Sequence, residues 1–269
     1  MNQEFIKVHP EGVKNIIAVA SGKGGVGKST VAANLAIALV RNGFSAAIVD
    51  ADVYGPSIPH MFGLENARCE FSALGDKQMI LPPEKFGVKI MSVGFLMPAG
   101  QPLIWRGPLA SKLIMQLFNE TVFGDTDFLV IDFPPGTGDV QLTILQQLNL
   151  AGAIIVTTPQ QIALDDVRRA ASMFTKPELN VPILGIIENM SWFTPASHPD
   201  EKYFVFGKGG GQKIADEFNT RLLGQIPLVA EIGEAADQGR SVFNQSYTAI
   251  AETFEVISGE IISLTNADK

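Results

Sequence analysis

Near the start of the chain a lysine, a serine and a run of glycines stand at fixed spacing. The stretch Ser21-Gly22-Lys23-Gly24-Gly25-Val26-Gly27-Lys28-Ser29-Thr30 satisfies G-x-x-x-x-G-K-[ST] through Gly22, Gly27, Lys28 and Ser29. Glycines at this density let the backbone curl until several N–H groups point inward. A helix starting behind them adds positive potential, and together they cradle phosphate oxygens. The backbone from Gly22 to Thr30, with Gly24, Gly25 and Val26 inside it, is thereby assigned to the phosphates of a nucleotide. Lys28 is expected to reach the β- and γ-phosphates and the Ser29 hydroxyl to ligate Mg²⁺. The plain alternative is a glycine-rich turn without a ligand, against which motif and context agree.

Carboxylates follow at two other places. Asp50 and Asp52 close the run AAIVDAD, and a spacing of two puts both side chains on one face. The run FLVID ends in Asp132 and continues as Phe-Pro-Pro-Gly-Thr-Gly-Asp. An aspartate after four apolar residues is the arrangement in which a carboxylate holds Mg²⁺ directly or through water. Gly136 sits on the turn beyond it, where its N–H can meet the terminal phosphate. Singly, each aspartate reads as a turn or cap residue; a phosphate loop upstream makes Asp50 and Asp132 candidates for the metal side. Asp139 reads as the N-cap of a helix starting VQLTIL.

These residues need a frame that brings them to one edge. Nearly continuous apolar runs recur at 16–20, 46–50, 88–93, 128–132, 153–157, 183–187 and 222–226, as strands covered on both faces do. Between them, 30–41, 109–120, 140–148, 163–174 and 212–218 carry apolar residues three or four apart, and 241–264 reads as a long helical tail. Strand alternating with helix predicts an α/β fold, a doubly wound, mostly parallel sheet with helices on both faces. In such a sheet ligands gather at the carboxyl ends of the strands. No linker or repeat divides residues 1–269, so one P-loop ATPase domain is expected.

Composition narrows the function classes. Twenty Lys and Arg against 28 Asp and Glu leave a formal charge of −8, which disfavours a broad nucleic-acid face. The single cysteine, Cys69, excludes an internal disulfide and any metal site built from several cysteines of one chain. No apolar run reaches a membrane span and the N-terminus has no signal-peptide core, so a cytoplasmic protein is expected. A guanine-reading N-K-x-D tetrad is missing, which favours ATP over GTP.

The pattern K-G-G-x-G-K-[ST] resembles the deviant P-loop of the MinD/ParA and nitrogenase iron-protein superfamily. That resemblance implies a homodimer with two ATP sites facing each other, Lys23 reaching the partner's nucleotide. It implies that Asp52 orients the attacking water, that Asp132 opens a switch segment and that Asp50 supports the metal. It also places Asn189, after the run GIIE, against the adenine amino group, with Pro227 packed beside the base. Four stretches together resemble the Mrp/ApbC family of iron–sulfur cluster carriers: SGKGGVGKSTVAANLA; DADVYGPSIPHMFGL; LIWRGPLASKLIMQ with IDFPPGTGDVQLT; and GIIENMSWF with FGKGGGQKIADE. The resemblance runs from about residue 16 to about residue 243. The resemblance implies a slow, partner-regulated ATPase with ATP/ADP and Mg²⁺, acting with iron–sulfur scaffold or recipient proteins. Many members carry a further small N-terminal domain.

One departure stands out. Members place a Cys-x-x-Cys after the Asn-Met-Ser-aromatic-Phe stretch, where two subunits bridge a [4Fe–4S] cluster. Here the segment reads Asn189-Met190-Ser191-Trp192-Phe193-Thr194-Pro195-Ala196-Ser197-His198-Pro199. His198 is the one candidate iron ligand there, and a lone loop histidine is ordinarily just solvated. An ATPase homologue that has lost cluster binding is the variant reading. A MinD/ParA-like positioning ATPase is the second class, but the tail AETFEVISGEIISLTNADK is acidic where a membrane-binding helix would be basic. A ligase of the dethiobiotin synthetase kind is the third, with no substrate pocket to support it.

Overall fold

The computed structural model describes residues 7–74, 77–96, 107–243 and 248–265. In chain order the elements are β1 (Val13–Ser21), α1 (Lys28–Arg41), β2 (Ala46–Asp50), α2 (Ile58–Met61), β3 (Glu70–Leu74), β4 (Lys77–Leu81), β5 (Glu84–Lys85) and β6 (Val88–Ser92). Then come α3 (Gly107–Glu120), β7 (Thr126–Asp132), α4 (Asp139–Gln147), β8 (Gly152–Thr157), α5 (Gln161–Phe174), β9 (Ile183–Glu188), α6 (Gly210–Glu217), β10 (Leu222–Gln225), α7 (Ala230–Asp237) and α8 (Thr248–Leu264). Trp105 and Arg106 lie outside the described residues.

Eight strands form the main sheet in the order β10-β9-β8-β1-β7-β2-β6-β5. All neighbours pair in parallel except the edge strand β5, which runs antiparallel to β6. Each of the seven apolar runs is one of the parallel strands. Every residue of β2 and of β8 is buried, as continuous apolar runs require when both faces are covered. The chain moves from β1 to β2 in one direction across the sheet. From β6 through β7 and β8 to β10 it moves in the other. Right-handed crossovers then put α1 on one face and α3 to α6 on the opposite one. Packing agrees: α8 lies on α1 and β10, α2 on α1 and α7, while α3 pairs with α4 and α5 with α6.

Two expectations, the extent of the helical tail and the cap at Asp139, are corrected, and the stretch 54–86 adds elements that no pattern announced. The helical tail begins at Thr248, and Ser241–Phe243 lies outside any helix. The irregular stretch 54–86 contains the single turn α2 and the antiparallel pair β3–β4, a small sheet of its own. Asp139 is the first residue of α4, whose N-cap is Gly138.

Candidate nucleotide site

The parallel sheet brings the ends of β1, β2 and β7 to one edge. β1 lies at the point where the strand order reverses, with β7 on one side and β8 on the other. The glycine loop leaves β1 there and enters α1, with Gly27 in the left-handed conformation at the helix N-cap. Lys28 at the first position of α1 is buried, and its Nζ forms an ion pair with Asp132 Oδ1 at the end of β7. The same ammonium approaches Ser29 Oγ at 3.3 Å. Asp132 is fully buried, and its second oxygen, Oδ2, has no hydrogen-bond partner among the described residues.

Asp50 and Asp132 occupy one rung of the β2–β7 ladder, so their side chains emerge side by side on one face. Burial, and then the charge of Asp132, push the Asp50 carboxyl up to about 7. Burial likewise raises Asp132, against the pull of Lys28 and Ser29. Asp50 nevertheless accepts from four donors: Ser57 N at 3.0 Å, Ile58 N at 3.1 Å, and Asp52 N and Ser92 Oγ each at 3.2 Å. It therefore fastens the loop 51–57 and the start of α2 to the sheet. Asp52, half-buried, sits on that loop and accepts the N–H groups of Tyr54 and Gly55 at 3.2 Å each. A cavity of about 210 Å³ opens between this loop and the glycine loop, lined by Lys23, Gly24, Lys28, Ser29, Asp52 and Ser57 among others.

Two further buried side chains tie down the chain just beyond the strand ends. Gln141, buried on α4, donates through Nε2 to the carbonyls of Pro134 and Gly136 at 2.6 Å each, and its Oε1 accepts the Gly138 N–H. One amide thus pins the turn that bears Gly136. On the far side, Glu188 at the end of β9 is buried. It accepts Gly211 N at the start of α6 at 2.5 Å, Gln225 Nε2 at 2.6 Å and Ser191 Oγ at 3.0 Å. A glutamine in the first turn of a helix looks in sequence like any other surface polar residue.

Asn189 comes next to Glu188, buried, and donates through Nδ2 to Val26 O of the glycine loop at 2.8 Å. Pro227 lies in a strand-like segment tied to the same region, with Ser191 N on Ile226 O at 2.9 Å and Leu228 N on Trp192 O at 2.7 Å. The structure thus brings Asn189 onto the phosphate loop, and Pro227 lies half-buried between two residues that hydrogen-bond to the segment following Asn189. Beyond Ser191 the chain makes a hairpin in which Phe193 and Tyr203 exchange backbone hydrogen bonds. His198 is exposed there, its Nδ1 at 2.9 Å from Ser197 Oγ.

Cys69 is elsewhere. It is buried, with Sγ 3.9 Å from Met91 Sδ on β6, and burial pushes its thiol up. β6 and β9 are five strand spacings apart, roughly 24 Å at about 4.8 Å each. A single buried thiol per chain does not fit the four-ligand set of a resident [4Fe–4S] group.

Residues 12–262 match the family described as ParA: NUBPL iron-transfer P-loop NTPase. The iron-sulfur cluster carrier protein of Aquifex aeolicus is 49% identical over 239 residues, covering 88% of this chain and 64% of its own length. The Escherichia coli K12 protein of the same name is 46% identical over 266 residues, 93% of this chain and 70% of its own. The chain thus spans about two-thirds of these relatives. Among solved structures, a nucleotide-binding protein from Archaeoglobus fulgidus in complex with ADP superposes with a TM-score of 0.73 at 36% identity, covering 86% of this chain and 88% of that one. MinD of Pyrococcus horikoshii with Mg-ADP shares the fold at a TM-score of 0.66 and 23% identity, over 93% and 97% of the two chains. The chain belongs to the ParA/NUBPL family of iron-transfer P-loop NTPases.

Proposed function

We propose that the chain is a Mg²⁺-dependent ATPase that works as a homodimeric switch in iron–sulfur cluster transfer. The observation that carries this reading is the buried Lys28–Asp132 pair with one carboxylate oxygen left orphaned beside it. A buried cation and a half-satisfied carboxylate are costly unless a ligand completes them. A nucleotide phosphate does so by drawing Lys28 onto its own oxygens and freeing the Asp132 carboxylate. Bound Mg²⁺ supplies neutralisation of charge on the phosphates, with Ser29 and Asp132 as its protein ligands.

This chain's residues divide the remaining work. The N–H groups of residues 24 to 30 hold the phosphates, and Gly136 N–H, on the turn pinned by Gln141, faces the γ-phosphate. Asp52 aligns the attacking water. Lys23 reaches across to the partner copy's nucleotide. Because the Asn189 amide nitrogen is committed to Val26, its carbonyl oxygen is the atom offered to adenine, and it accepts from the base's amino group. Pro227 walls the base. Asp50 acts through the loop it fastens rather than as a metal ligand. The iron–sulfur cluster is cargo, and thiolates for it come from scaffold or recipient proteins.

Paired variants test the reading. Lys28→Ala should abolish ADP binding in calorimetry, whereas Asp52→Ala should keep ADP affinity and lower phosphate release by about a hundredfold or more. An Asp52→Ala protein that hydrolyses ATP at the native rate would remove Asp52 from the mechanism.

A further inference from the structure

Asp52 rides on a short loop between β2 and α2, and both ends of that loop are visible. Asp50 holds its near end and the first amides of α2. The far end of α2 turns at Gly63, in the left-handed conformation at φ +60°, with Gly63 N on His60 O at 2.8 Å and Leu64 N on Pro59 O at 2.7 Å. Helix α7, which follows the Pro227 segment, ends the same way at Gly239, φ +59°, with Arg240 N on Ala235 O at 2.8 Å. The two capping glycines meet back to back. A Cβ on Gly239 would fall 2.6 Å from Gly63 N and 3.2 Å from Phe62 C, both backbone atoms that cannot yield without moving α2. Ile232 and Ala236 of α7 face Met61 and Phe62 across a remnant space of about 20 Å³, so little slack remains.

We infer that Gly239 is a positioning residue for the hydrolytic step, and that its contact with Gly63 fixes the height of α2 and hence of Asp52. The inference rests on the role of Asp52 proposed above. The contact also joins the two ends of the nucleotide site. Loop 226–229 beside the base runs directly into α7, and α7 abuts the helix whose Met61, with Ser57 at its N-cap, lines the phosphate cavity.

The test compares ADP affinity with ATP turnover in Gly239→Ala and Gly239→Asn. Asparagine tolerates the left-handed conformation better than alanine but brings the same Cβ, so matching effects would point to the contact rather than to backbone strain. Both variants should keep ADP affinity within about twofold and lose about ten- to a hundredfold in kcat, as small displacements of a catalytic group do. Ile232→Ala, a gentler loosening of the same packing, should lower kcat several-fold. Gly12→Ala is the control. Its φ is +78° and a Cβ there would meet the Gly124 carbonyl carbon at 2.8 Å, but at the amino ends of the strands. It should lower the melting temperature and leave kcat intact. The inference is overturned if the Gly239 variants turn over at the native rate, if ADP affinity falls in step with kcat, or if Gly12→Ala loses kcat equally. Asp52→Ala in the same series separates the two ideas. Native turnover there overturns the Asp52 role, whereas a dead Asp52→Ala beside an active Gly239→Ala overturns only the positioning contact.

Discussion

Asp50 titrates where its neighbours make ionisation expensive, and this sets how the apoprotein responds to pH. Its folded pKa of about 7 lies above the carboxylate value of 3.8 in the open chain, so folding takes up a proton between them. The associated stability is full below pH 4 and is lost as pH rises through 7. Thermal unfolding of the ligand-free chain should therefore show a midpoint that falls from pH 5 to pH 8, and Asp50→Asn should flatten that slope. A wild-type midpoint that climbs steadily over the same range would contradict the assignment. Most other residues of the site were legible because their chemistry demands fixed spacing: Gly22 to Thr30 as one string, and aspartates at the ends of apolar runs. Gln141 was not, and Glu188, which ends an apolar run as the aspartates do, was legible in position but not in task, since a side chain that satisfies backbone groups needs only the right place in space.

Among the elements, a close backbone contact joins the glycine loop to α5. A Cβ on Gly22 would stand 2.5 Å from Asp166 O, against helix backbone. Gly22→Ala must push the loop off α5 and turn its N–H groups away from the phosphates. ADP affinity should fall by about tenfold or more, read by calorimetry, with the far-UV spectrum unchanged. The parallel strands were readable from sequence because two-sided burial leaves unbroken apolar runs. The β3–β4 pair was not. Its strands EFSAL and KQMIL mix polar and apolar residues, and Phe71 is largely exposed. α2 is a single turn, and α7, although as long as α6, buries only Ala235, so neither shows an apolar face in sequence; their meeting point is nonetheless the contact we infer to position Asp52.

At the scale of the whole molecule, the negative charge and the lone thiol decide what the chain can carry by itself. Anaerobic incubation with iron and sulfide should leave the purified protein without a stoichiometric cluster, and Cys69→Ser should alter neither that result nor ATP turnover. About four irons per dimer, lost in Cys69→Ser, would instead name the thiol as a ligand. The likeness to cluster carriers was clear from four separated stretches, because long, chemically odd strings seldom recur by chance. Whether the chain hands over cargo through partners is a property of surfaces, and surfaces leave weaker marks in sequence than pockets do.

The seclusion of Cys69 beneath β6 has a practical side. Its sulfur is shielded from solvent and reluctant to ionise, so reagents that seek thiolates have almost nothing to attack on the native protein. A cysteine introduced at Thr194 or His198 would be the single responsive handle on each copy. One spin label or fluorophore there would report the hairpin-to-hairpin distance across the proposed pair of subunits, with ATP and with ADP, against a silent background.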